Sequence, residues 1–202
     1  MDTLKKGQAK MKKLSQFEIL LKPLLSVQKL MKKFGCSWVI IGGVAASLLG
    51  KPRFTADVDV LTIVEDNGIT GMLKIAGQYG LKRRVKDAVD FAKKNRVLLL
   101  RHIETGINID ISLGLLPFEK EAIKNSKRYK VGGLTFYLPT PEDLIVFKAV
   151  AHRPQDIIDI KEIVKGNPKI NTSYIKKRIK EFASALEMPE IWTDIESVIL
   201  KR

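Results

Sequence analysis

The 202 residues carry 36 Lys and Arg against 22 Asp and Glu, a formal charge of +14, and 45% of the side chains are hydrophobic. That length suits one compact domain, or a catalytic domain with a helical appendage, and no apolar run approaches the roughly 18 residues needed to cross a bilayer. The single cysteine, Cys36, excludes an intramolecular disulfide and points to a reduced cytoplasm, while the positive field favours polyanions such as nucleoside triphosphates or RNA.

Residues 1–13 read as a basic arm, with no apolar stretch behind the charges to make a signal peptide. Leu14, Phe17 and Leu21 follow helical spacing, and Pro23 is expected to interrupt them. A second helix places Leu24, Val27, Met31 and Phe34 on one face and ends at Gly35. Residues 38–41 form an apolar strand, Gly42-Gly43 a tight turn, and residues 44–49 a helix of small residues. The next strand carries Asp57 and Asp59 on one face and Val58 and Val60 on the other, and runs on through Leu61 and Val64 to a turn at Asp66-Asn67-Gly68.

A helix is predicted over 69–80, and the strongly basic stretch 82–94 is also predicted as helix. Residues 97–103 and 107–113 form a hairpin around Glu104-Thr105-Gly106. In the second of these strands Ile107, Ile109, Ile111 and Leu113 alternate with Asn108, Asp110 and Ser112. His102, beside the hairpin, is given no role. An amphipathic helix over 115–126 and a short hairpin over 129–138 complete a core of residues 14–139. Beyond Pro139 the chain is wholly helical, to residue 202.

Thr140-Pro141-Glu142-Asp143 opens the helical region, with a threonine cap, proline in the first turn and two acids. Lys148 lies on a helix that is apolar nearly all round, so it must snorkel to water or meet an anion. Asp156 and Asp159 share the face of the following helix. Two further stripes, Ile175, Ile179, Phe182 and Leu186, then Trp192, Ile195 and Ile199, read as core.

Two carboxylates on one strand face repel each other and resist burial unless a cation lies between them. If the Asp110 strand pairs beside the Asp57 strand, three carboxylates converge. Hard divalent ions take such oxygen ligands, and two of them about 3.5–4 Å apart can clamp an in-line phosphoryl displacement. The glycine pair lets a phosphate approach backbone N–H groups at a helix start.

The strand ending in two glycines, the helix after it, the Arg-x-Thr-x-Asp-x-Asp segment (Arg53, Thr55, Asp57, Asp59) and the later Asp110 resemble the nucleotidyltransferases of the DNA polymerase β superfamily. Within that superfamily the chain is most similar to small proteins related to the abortive-infection type IV (AbiEii-like) toxins. The resemblance implies an α/β (α+β) fold, a mixed sheet flanked by helices with a C-terminal helical bundle. It implies transfer of a nucleoside monophosphate from an NTP to an acceptor hydroxyl of RNA, tRNA or a protein, with Mg²⁺ or Mn²⁺. Asp57, Asp59 and Asp110 would be the catalytic metal ligands. Gly42, Gly43, Arg53, Thr55 and Lys148 would bind the nucleotide, and an antitoxin protein would be the partner. Arg53 could equally be a structural counter-ion, and Arg153, Asp156 and Asp159 fit a salt-bridged brace between helices. Gly43 departs from the pattern, since many members have serine there. Two rival readings remain at this stage: a metal-dependent nuclease or phosphatase, and a non-catalytic module that grips RNA or protein.

Overall fold

The computed structural model describes residues 19–131 and 133–200. The basic arm and the expected helical face at Leu14 and Phe17 lie outside the described residues. A helix, α1, covers residues 19–34 and passes through Pro23 without a break. An interior proline costs about 3 kcal/mol. Against that cost stands the buried stripe of Leu20, Leu24, Val27, Leu30 and Met31, which fixes the helix to the core.

The strands β1 (Trp38–Ile40), β2 (Asp57–Thr62), β3 (Leu81–Arg83), β4 (Val97–His102) and β5 (Asn108–Leu113) form a sheet in the order β1-β2-β5-β4-β3. β2 and β5 run parallel; the other pairs are antiparallel. Because paired residues share a face, the register sorts the sheet into two surfaces. One surface is apolar across its centre and faces the core: Ile40, Val60, Ile111 and Leu98 make one row, and Val58, Ile109 and Leu100 the next, all fully buried. The opposite surface carries the row Asp57, Asn108, Arg101, Lys82 and, beside it, the row Asp59, Asp110, Leu99, Arg84.

The connections are helices: α2 (Gly42–Leu49) after β1, α3 (Ile69–Gln78) after β2, and α4 (Ala88–Asn95) between β3 and β4. The stretch 82–94 is therefore not one helix. Leu81 buries opposite His102, and its basic neighbours Lys82 and Arg83 form the outermost strand, where charged side chains suit an unpaired edge. His102 accepts the Thr105 backbone N–H at 3.3 Å and lies 2.9 Å from the Thr105 hydroxyl, so it fastens the β4–β5 turn.

After α5 (Pro117–Lys124), β6 (Lys127–Val131) and β7 (Leu134–Leu138) form a separate hairpin, and the Tyr137 ring meets Trp38 edge-on at 6.2 Å. Four helices follow: α6 (Pro141–Ala151), α7 (Pro154–Gly166), α8 (Thr172–Ala185) and α9 (Glu190–Leu200). The Thr140 hydroxyl accepts the Asp143 N–H at 3.1 Å, as the cap pattern predicts. One hydrophobic cluster runs without interruption from Leu20 through the sheet to Ile199. None of the described helices is long and apolar enough to cross a membrane.

Candidate active site

The parallel pairing of β2 with β5 sets Asp59 directly opposite Asp110, with Asp57 one row away opposite Asn108. Neighbouring strands lie about 4.8 Å apart, so Asp110, distant in sequence, joins Asp57 and Asp59 in one patch of the polar face. All three are half-buried. Burial pushes the Asp59 carboxyl above the usual range; a hydrogen bond from the Gly43 backbone works against the rise, and the Asp57 charge adds to it. Burial likewise raises Asp110, which Arg84 opposes and the charges of Asp59 and Asp57 reinforce. Burial is the largest cause of both rises, and the neighbouring aspartate charges add to it.

The glycine pair is the first turn of α2 rather than a turn before it. Gly42 has φ +62°, in the left-handed region, and a Cβ there would lie 1.9 Å from Asp59 Oδ2. A Cβ on Gly43 would lie 2.7 Å from the Thr55 hydroxyl and 3.2 Å from the Arg53 guanidinium. Both glycines are therefore demanded by side chains that close over the helix start. Thr55 also donates to the Asp57 carbonyl at 3.2 Å, which folds the segment before β2 back toward Gly43.

Lys148 does not snorkel. It is 3% exposed, 2.8 Å from Asp156 and 2.7 Å from Asp159. Arg53 grips Asp159 through two bonds of 2.7 and 2.8 Å, and Gln155 adds a third at 3.0 Å. Arg153 reaches Asp156 at 2.6 Å from a side chain that is 70% exposed. Burial pushes Asp156 and Asp159 up, but hydrogen bonds outweigh it. Arg153 and Lys148 hold Asp156 below the usual carboxylate range, and Arg53, Lys148 and Gln155 do the same for Asp159. Three cations against two anions leave this network with one positive charge, and Lys148 and Arg153 both act on Asp59.

A cleft of about 150 Å³ joins the two groups, lined by Gly42, Asp59, Phe147, Lys148, Arg153 and Asp156. Gly42, Gly43, Thr55, Asp57, Asp59 and Asp110 thus gather at one place. Arg53 and Lys148 belong to the network beside it. Sequence reasoning missed one cation, Arg84, which pairs with Asp110; Arg153, expected in a brace with Asp156, makes that pair and also lines the cleft. Both placements depend on where edge strand β3 and the α6–α7 corner fall in space. Among the described residues no three carboxylate, imidazole or thiol groups are already drawn tightly enough to hold an ion; Asp110 is held by Arg84 instead.

A strand, a glycine helix start, a strand bearing two aspartates and a third aspartate on the parallel neighbour thus lie together, the features on which the sequence resembles nucleotidyltransferases. Two structures of the antibiotic-resistance factor ANT(2'')-Ia share the fold. Its solution structure aligns with a TM-score of 0.56 at 14% identity, covering 82% of this chain and 92% of that one. Its complex with adenylyl-2''-tobramycin aligns at 0.55 and 14% identity, covering 84% and 99%. The chain belongs to the family described as "Nucleotidyltransferase of unknown function (DUF6036)", whose model matches residues 15–194. No curated protein sequence matches it.

Proposed function

We propose that this nucleotidyltransferase moves a nucleoside monophosphate from an NTP to an acceptor hydroxyl, assisted by Mg²⁺ or Mn²⁺ at Asp57, Asp59 and Asp110. The observation that carries the reading is the in-register parallel pairing of Asp59 with Asp110 beside the Gly42 helix start. The donor set fits a hard divalent cation: it offers carboxylate oxygens only, and two of its members are raised by burial and mutual repulsion. When bound, such an ion would neutralise triphosphate charge and favour ionisation of the acceptor hydroxyl.

The chain's own residues supply position and charge. The cleft between Gly42 and Arg153 suits the triphosphate. The exposed Arg153 side chain can reach it, and the surplus positive charge of the Lys148 network favours an anion there. Lys148 serves that charge through Asp156 and Asp159 rather than by a free ammonium. The acceptor oxygen attacks the α-phosphorus, the bridging P–O bond to the β-phosphate breaks, and pyrophosphate leaves with the electron pair. Asp110 would take the hydroxyl proton. Catalysis rests on positioning and on neutralising charge as it develops.

The ANT(2'')-Ia complex holds an adenylylated aminoglycoside, a polycation. Here the polar face beyond Asp110 carries Arg84, Arg101 and Lys82, which opposes that kind of acceptor. Incubation with each α-labelled NTP, Mg²⁺ and separate RNA, protein and aminoglycoside fractions tests the reaction. Label should move to one fraction and be lost by about a hundredfold or more in Asp59→Asn. Release of free phosphate or cut nucleic acid without labelled acceptor would replace the transferase with a hydrolase.

A further inference from the structure

The strand order β1-β2-β5-β4-β3 also orders the site across the sheet. The helix start at Gly42 and the cleft lie on the β1 side, the three aspartates occupy β2 and β5, and the polar face continues onto β4 and β3. Two strands beyond Asp57 in its own row stands Arg101, and next to it Lys82. Both are exposed. Among the described residues neither has an ion-pair partner; one Arg101 nitrogen donates to the Gly106 carbonyl at 2.7 Å. In the adjoining row Leu99 is half-buried and outside the core cluster, and beyond it Arg84 turns back to Asp110 with its Nε buried and unbonded. Asn108 separates Asp57 from Arg101 and Lys82 in one row, and Leu99 lies beside them in the next. A polar step, an apolar patch and two exposed cations thus follow the aspartates, a surface that suits a ribose end with phosphates trailing from it.

We propose that this half of the sheet is the acceptor site, and that Lys82 and Arg101 bind the phosphate backbone of a single-stranded RNA whose terminal hydroxyl lies at Asp110. The proposal rests on the transferase reading and adds the acceptor's class and seat. Strand spacing of about 4.8 Å puts Arg101 and Lys82 roughly 10 and 14 Å from Asp57, distances that one or two nucleotides span. The triphosphate enters from the opposite side, so the two substrates meet over the aspartates without sharing contacts. The formal charge of +14 supports a polyanionic acceptor over a cationic one.

The test is fluorescence anisotropy of a mixed-sequence, end-labelled oligoribonucleotide with the full chain, titrated at several salt concentrations without NTP. The double variant Lys82→Gln/Arg101→Gln should weaken binding and reduce the slope of log affinity against log salt by about 1.4, from about 0.7 per phosphate contact on a single strand. The control Lys127→Gln/Lys130→Gln on exposed strand β6 removes equal charge and should leave the slope unchanged. Equal effects in both pairs, or none in either, overturn the proposal. Label transferred to protein while RNA stays unlabelled also overturns it. RNA held through Lys82 and Arg101 with no α-phosphate transfer under any condition would instead sink the transferase reading and leave the RNA surface standing.

Discussion

Gly42 shows how little room the site leaves. Its left-handed backbone and the 1.9 Å gap to Asp59 mean that Gly42→Ala meets strain and a clash together. The backbone cost alone is about 1–2 kcal/mol, so the variant should melt earlier and lose transfer, while Gly77→Ala, in open space, should do neither. Asp59→Asn should act in the opposite sense on stability. The folded Asp59 carboxyl is raised, so its ionised form burdens the fold once pH climbs past that value, and the amide carries no such burden. Thermal unfolding should find the variant more stable than the parent at pH 7, with the difference fading as pH falls and the parent carboxyl takes up its proton. The aspartates and the glycine pair were legible because strand alternation assigns a face to each residue and two adjacent glycines mark a backbone under close approach. Arg84 was not, because an arginine's reach depends on which elements end up beside it.

At the scale of elements, the α6–α7 corner is held by charge inside the fold. Lys148→Met leaves Asp156 and Asp159 buried with one cation fewer. Breaking such a pair costs about 3–5 kcal/mol, to be read as a lower urea midpoint with unchanged slope. Both aspartates are held below their usual range, so their contribution is complete above about pH 4 and disappears as pH falls through their depressed values. Lys148→Met should flatten that acid limb. The sequence showed the pairing of Asp156 with Asp159 and the odd placement of Lys148, and the structure joins them. It misplaced the basic stretch 82–94 because a three-residue edge strand has too short an alternation to compete with a helical reading. It misjudged Pro23 because local propensity ignores the stripe that buries α1.

Across the whole molecule, the hydrophobic cluster does not stop at Pro139. Leu144, Ile145 and Ala149 of α6 and Ile160 and Ile163 of α7 belong to the same cluster as the sheet. A chain ending at residue 139 should therefore expose this surface and fail to give a cooperative unfolding transition, whereas the full chain should unfold in one step by circular dichroism and by tryptophan fluorescence. The switch from alternating strands and helices to helices alone was plain from the sequence; that both parts share one interior was not, since periodicity reports which face is apolar and never what covers it. The Arg53–Asp159 grip spans 106 residues of chain and fastens the segment leading into β2 to the second helix of the C-terminal bundle. Exchanging residues 140–202 for those of another transferase would thus be more than a change of scaffold: a donor bundle lacking a carboxylate at this position would strand a guanidinium against Gly43 and loosen the aspartate strand where it begins.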